Sequence, residues 1–63
     1  MNIEEETKTI LEFVDKGNFH AAMNIAISAL NDRRRNDDQK GTDHFLEVIR
    51  SIAETMRQTF GSR

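Results

Sequence analysis

The sequence contains no cysteine, proline, tryptophan or tyrosine, and these absences narrow what the chain can be. Without cysteine there is no disulfide and no thiolate zinc site, two devices that commonly stabilise very short chains. Without proline, no residue interrupts a helix from inside. The longest mostly apolar stretch, residues 19–30, contains His20, Asn24 and Ser28. It is too short to cross a bilayer, which takes about 20 apolar residues.

The charge balance excludes a further group of functions. Nine Lys and Arg residues against eleven Asp and Glu residues give a formal net charge of −2. The chain therefore has no general attraction to nucleic acid or to an anionic membrane. The sequence starts with the acidic run Glu4-Glu5-Glu6, without the basic-then-apolar order of a signal peptide. We expect a cytoplasmic protein.

Apolar residues at helical spacing predict a single all-α domain of three helices over residues 1–63. The first helix is expected over about residues 3–16, capped by Asn2 and followed by Gly17. The second helix is expected over about residues 19–34, and the third over about residues 43–60.

The polar segment 31–41 separates the second and third helices. It is expected to be a surface loop or the polar first turn of the third helix. Gly41 stands as a break in the chain, so the third helix is expected to begin at about Thr42 or Asp43.

The second helix is apolar over roughly 200° of its circumference, so it must contact more than one neighbour. Ala22, Ala26 and Ala29 keep its middle slim and allow another backbone to approach closely. We predict that this helix is the centre of the structure.

Association with a second chain is expected from size alone, because a chain this short buries only about 60% of its unfolded surface. Ile25 and Ile27 flank opposite sides of the second helix, and Ile3, Phe45 and Phe60 are expected near helix ends. A second subunit could cover all of them. We therefore predict a small dimeric helical bundle in which these five isoleucines and phenylalanines are the candidate interface residues.

Residues 17–22, Gly-Asn-Phe-His-Ala-Ala, followed by Ala29-Leu30, resemble the second helix of a tetratricopeptide repeat. Phe13 falls where the first helix of such a repeat carries an aromatic residue, whereas Thr9 and Ile10 depart from the Leu-Gly pair of that family. The resemblance implies a tight helical hairpin over Phe13–Leu30, closed across a glycine turn. A repeat-type peptide groove is the less favoured implication, because repeat arrays need about three units to bury their faces.

The chain as a whole resembles in type the small early-region accessory proteins of lambdoid phages, including those encoded between the exonuclease and excisionase genes. The shared features are the length, the lack of cysteine and proline, and the acidic start. The resemblance implies a protein that binds host factors. Together with the surplus apolar surface, it favours a non-enzymatic interaction protein, a homodimer that modulates a host or partner protein.

The alternative function is that of a small nucleic-acid-binding regulator, since arginine side chains bind phosphate oxygens in a bidentate manner. The candidate contacts are Arg33, Arg34, Arg35 and Lys40. A structural interpretation competes with this one, because arginines at a helix C-terminus also complement the helix dipole and can pair with the neighbouring aspartates. The absence of tyrosine and tryptophan, which stack on bases, favours the structural interpretation.

No pattern in the sequence points to catalysis, a cofactor or a metal. His20 and His44 are predicted on different helices, and neither has a second histidine at metal-ligand spacing. Ser28 and Ser51 are expected within helices and lack the glycine elbow of a nucleophilic serine. We expect no enzymatic activity, no cofactor and no metal site.

Overall fold

The computed structural model describes residues 2–61, and over that range the chain forms three α-helices and no strands. The helices are α1 (Ile3–Asp15), α2 (Phe19–Arg35) and α3 (Gln39–Phe60). The predicted all-α, three-helix fold is confirmed. The bounds of α1 and α2 agree closely with the prediction, whereas α3 begins earlier than expected.

Each helix begins at a side-chain cap, which satisfies a backbone N–H of the first turn. The capping bonds are Glu5 N–H to Asn2 Oδ1 (2.8 Å), Ala21 N–H to Asn18 Oδ1 (3.3 Å) and Gly41 N–H to Asp38 Oδ1 (3.0 Å). Asn2 was predictable as a cap, whereas Asp38 was hidden in a polar run. Because Asp38 caps α3, that helix begins at Gln39, and the predicted start at Thr42 or Asp43 is wrong.

The two turns between the helices share one geometry, in which a left-handed residue ends a helix and the next residue caps the following one. The left-handed residues are Gly17 (φ 78°) and Asp37 (φ 54°). The closing hydrogen bonds are Asn18 N–H to Phe13 O (2.8 Å) and Asp38 N–H to Arg33 O (2.9 Å). Aspartate tolerates this conformation better than most residues, so the second turn forms without glycine. Gly41 lies inside α3 and is buried, so it is not a break.

Helix α2 lies between the other two helices and packs against both, while α1 and α3 contact each other only sparsely. This arrangement confirms that the second helix is central. Ala22 and Ala26 are fully buried, and their small side chains let α1 and α3 approach the α2 backbone. The larger core side chains, Ile10, Leu30, Phe45 and Ile52, come from all three helices.

Contacts near the helix ends fix the relative directions of the helices. Arg33, near the end of α2, contacts Glu6 at the start of α1. The ring of Phe19, at the start of α2, lies 5.6 Å from the ring of Phe60 at the end of α3, edge to face. Helices α1 and α3 are therefore both antiparallel to α2 and run parallel to each other. This topology creates two surfaces: a groove between α1 and α3, and a face shared by α2 and α3.

Candidate interaction surfaces

The predicted interface residues fall into different environments. Ile27 is 42% exposed and Phe60 is 71% exposed. Ile3 and Ile25 are half-buried and pack against the core. Phe45 is fully buried within the chain, so the expectation that a second subunit covers it is wrong. The reason is the early start of α3, which places Phe45 well inside the helix and directs it into the core.

Ile27 and Phe60 belong to an apolar surface that we call the α2–α3 face. Its members are Phe19, Met23 and Ile27 of α2 and Leu46, Ile49, Ala53 and Phe60 of α3. Residues of each helix recur at helical spacing, so they lie along one side of it. The Phe19–Phe60 ring contact fixes one end of the face. At the other end of the face, Arg34 of α2 and Thr42 of α3 line one shallow hollow. Arg34 follows Ile27 by seven residues and Thr42 precedes Leu46 by four, so each lies on the same side of its helix as the apolar residues. The apolar sides of α2 and α3 are therefore adjacent at this end as well.

Leu46, which also belongs to this face, is 51% exposed, and it was not among the interface residues predicted from the sequence. Arg50 and Arg57 follow Leu46 and Ala53 by four residues and so border the α2–α3 face, and both are engaged within their own helix. Arg50 donates to Glu47 (3.2 Å), and Arg57 Nε donates to Glu54 (3.1 Å).

The Glu54–Arg57 pair lies on the solvent side of α3. The hydrogen bond from Arg57 lowers the pKa of the Glu54 carboxyl, and the same bond raises the pKa of the Arg57 guanidinium. Both groups remain exposed, so the pair is a solvated surface feature.

The second surface is the α1–α3 groove, which the sequence did not reveal. It consists of two adjoining hollows with volumes of about 710 and 250 Å³. Both are lined by Thr7, Leu11, Val14 and His44, and the smaller one extends along α3 to Val48 and Ile52. Leu11 is 54% exposed, although periodicity places it on the same apolar stripe as Ile10. Helix α1 has α2 as its main neighbour, so the Leu11 side of the stripe stays uncovered.

A hydrogen bond crosses the floor of the groove. Thr7 Oγ1 and His44 Nε2 lie 2.8 Å apart and join α1 to α3. The His44 ring also packs edge to face with the adjacent Phe45 ring, at 5.0 Å between centroids. His44 thus has a structural role in linking two helices. His20 lies exposed on α2.

The rim of the groove is acidic. Glu4, Glu12 and Asp15 project from α1, and Glu47 projects from α3, while Lys8 is the basic side chain lining the same hollows. Within residues 2–61, the three α1 carboxylates form no salt bridge. Their charges are therefore directed to solvent along the edge of an apolar surface.

The arginine cluster does not form one surface. Arg33 turns inward, with its side chain 19% exposed, and its Nη2 donates to Glu6 Oε2 at 3.1 Å. Its Nη1 lies 3.8 Å from Asp38 Oδ2, and its guanidinium carbon lies 6.0 Å from the centre of the Phe45 ring. Arg33 therefore connects the three helices, and these contacts favour the structural interpretation of this residue over a nucleic-acid contact.

The other candidate cations, Arg34, Arg35 and Lys40, are exposed, the first two at the end of α2 and the third in the first turn of α3. Exposed Asp32 and Asp37 are close to the arginines in sequence and offset their charge. Without Arg33, the cluster offers too few convergent cations to favour phosphate binding over the structural interpretation.

The described residues provide neither a metal site nor a membrane-spanning helix. Residues 2–61 contain no group of three or more His, Cys, Asp or Glu side chains placed to hold a metal ion. No helix in this range has the length and apolar character needed to cross a membrane.

Comparison with known proteins gave no match to any family model, to any curated protein or to any solved structure. Function must therefore be argued from the two surfaces themselves.

Proposed function

We propose that this chain is a non-enzymatic helical interaction protein that acts as a homodimer and modulates a partner protein. The observation that carries the proposal is the α2–α3 face, on which Ile27, Leu46 and Phe60 remain substantially exposed. Water-exposed apolar side chains of this size, grouped on one face of a small domain, are typical of an interaction surface.

The face suits a symmetric dimer because both copies can present the same patch. In a two-fold interface each residue meets its symmetry counterpart or a reciprocal partner, so an apolar patch is self-complementary. A stable interface buries about 800 Å² per partner, which is roughly a sixth of the 4681 Å² surface of this chain. The exposed side chains of α2 and α3 extend along most of both helices and can supply that area.

Sedimentation velocity at tens of micromolar tests the dimer, since association depends on protein concentration. The wild-type chain is expected to sediment as a dimer, and Leu46→Ser is expected to sediment as a monomer. Leu11→Ser is the matched control, because Leu11 is as exposed as Leu46 but lies in the α1–α3 groove. This variant is expected to remain dimeric.

A wild-type chain that is monomeric at this concentration, with a thermal midpoint independent of dilution, would refute the dimer. So would equal dissociation of the two leucine variants, because the effect would then not belong to the α2–α3 face.

The modulating role is supported by the resemblance to the phage accessory proteins, which implies that the partner is a host factor. Affinity capture from the native host tests this role. Mass spectrometry identifies the proteins that the wild-type chain retains, and a partner is expected to be lost from Leu11→Ser or from Leu46→Ser. Capture that is identical for wild type, Leu11→Ser and Leu46→Ser would count against a role for either surface.

A further inference from the structure

The α1–α3 groove has the length and the lining to hold one more helix. Helix α1 spans 13 residues, or about 20 Å at 1.5 Å per residue. Along this length Thr7, Leu11 and Val14 form one wall, and His44 and Val48 belong to the other. The side chains of each wall recur at helical spacing, so the groove follows the helix axes. A helix laid between α1 and α3 would complete a four-helix arrangement.

The rim specifies the charge of such a helix. Three carboxylates of α1, those of Glu4, Glu12 and Asp15, border the apolar lining without an ion-pair partner among residues 2–61. Glu47 borders it from α3. An amphipathic helix with lysine or arginine beside its apolar stripe would bury that stripe on Leu11 and place its cations against these carboxylates.

The same charges argue against a second copy of the chain in this position. Two grooves facing each other would bring two acidic rims together, and such like-charge contacts oppose association. The solvent-facing side of α2 carries Asn24, Ser28 and Asn31, all exposed and polar, so it offers no apolar stripe to insert. The chain thus has two apolar surfaces, and pairing of the groove with the groove of a second copy is disfavoured by the acidic rims.

We infer that the α1–α3 groove binds a basic amphipathic helix of a partner protein. This inference rests on the proposed interaction function, and it states which kind of partner segment the dimer binds. Leu11 supplies the main apolar contact, and the carboxylates of the rim select a positively charged helix.

The test uses two synthetic helical peptides of about 14 residues, the length that matches α1. Both carry leucines at positions i, i+3, i+4 and i+7, and they differ only in having lysine or glutamate at the flanking positions. Affinity is measured by fluorescence anisotropy, and the contact surface is mapped from amide chemical shifts. The lysine peptide is expected to bind and to shift the amides of Thr7, Leu11 and His44. The glutamate peptide is expected to bind at least about tenfold more weakly.

Two leucine variants locate the binding. Leu11→Ser is expected to weaken the lysine peptide about tenfold, a difference of about 1.4 kcal/mol. Leu46→Ser should leave this affinity unchanged while it dissociates the dimer. Leu11 and Leu46 are 54% and 51% exposed, so the two changes disturb folding of the single chain to a similar extent. Equal thermal midpoints at a dilution where wild type is also monomeric would confirm this.

A charge variant tests the rim separately. Combined Glu4→Gln and Glu12→Gln changes should weaken the lysine peptide about threefold to tenfold, the range for two exposed ion pairs, and should reduce its salt dependence.

The inference is overturned if the lysine peptide does not bind, if both peptides bind equally, or if Leu46→Ser weakens binding as much as Leu11→Ser does. The dimer and the groove can fail independently. A monomeric wild type that still binds the lysine peptide through Leu11 refutes the dimer alone. A dimer whose groove binds neither peptide refutes the groove alone.

Discussion

The stability of Gly41→Ala tests how the three helices are joined, because helix propensity and side-chain packing have opposite effects on stability at this position. Inside a helix, alanine is favoured over glycine by about 1 kcal/mol, so helix propensity alone predicts stabilisation. The packing predicts the opposite. A Cβ atom at Gly41 would lie 2.5 Å from Asp38 Oδ2 and 2.9 Å from Arg33 Cδ, both closer than real contacts allow.

The sizes of the opposing free energies decide whether Gly41→Ala stabilises or destabilises the fold. If Asp38 moves, α3 loses its cap, which is worth about 1 kcal/mol. If Arg33 moves, its hydrogen bond to Glu6 is strained or lost, and a hydrogen bond to a charged group is worth about 1.5–3 kcal/mol. Both side chains of that bond are mostly buried, at 19% and 15% exposed, so water replaces the bond poorly. We expect the losses to exceed the gain by about 1–2 kcal/mol.

Thermal and urea unfolding followed by circular dichroism measure this difference, and 1 kcal/mol corresponds to about 4–8 °C in the midpoint of a domain this small. A double-mutant cycle with Arg33→Ala isolates the cause. Without the Arg33 side chain, Gly41→Ala should cost less, with a coupling of about 1 kcal/mol. Gly17→Ala is the control, because its cost comes from a positive φ with no atom nearby and should not depend on Arg33.

A rise in the midpoint on Gly41→Ala would refute the reasoning, and so would an equal cost in both backgrounds. In either case Arg33 and Asp38 would have to relax without loss, and the close packing at the start of α3 would not constrain the fold.

Three other substitutions test separate parts of the structure. Ala26→Asp places a carboxylate where the side chain is fully buried, at a cost of several kcal/mol, so the circular dichroism spectrum at 25 °C should be that of an unfolded chain. Asp37→Gly should raise the free energy of unfolding measured in urea by up to about 1 kcal/mol, because glycine adopts the left-handed conformation without strain. Combined Glu54→Gln and Arg57→Gln changes should leave folding and sedimentation unchanged at neutral pH. Since the pKa of Glu54 is lowered in the folded state, any stability from this pair is present at neutral pH and is lost as the pH falls through that lowered pKa. A thermal midpoint difference between wild type and the double variant that grew in acid would contradict this assignment.

Helical periodicity and capping residues sufficed to predict α1, α2 and the central place of α2. These features are local, since a cap or a glycine turn acts within a few residues. The start of α3 was missed because Asp37 and Asp38 lie in a polar run, where any of several residues could have been the cap. Once the helix start is misplaced, Phe45 is placed near a helix end, where a second subunit could cover it, whereas it lies in the core of the chain.

The α1–α3 groove could not be predicted from the sequence, because a stripe of apolar residues does not reveal how many neighbours cover it. Ile10 and Leu11 belong to the same stripe on α1, yet the first is fully buried and the second is half exposed. The difference arises from the position of α3, which contacts α2 extensively and α1 very little. That position depends on contacts between residues far apart in sequence.

Two polar contacts join α1 to its neighbours beside the groove. Helix α1 is joined to the start of α3 by the Thr7–His44 hydrogen bond, and to the end of α2 by the Glu6–Arg33 ion pair. Both contacts lie in the first half of α1, so its second half, which carries Leu11, has no comparable polar link to α3 among residues 2–61. A helix entering the groove beside Leu11 would therefore meet a part of α1 where no polar side-chain contact to α3 has to be broken.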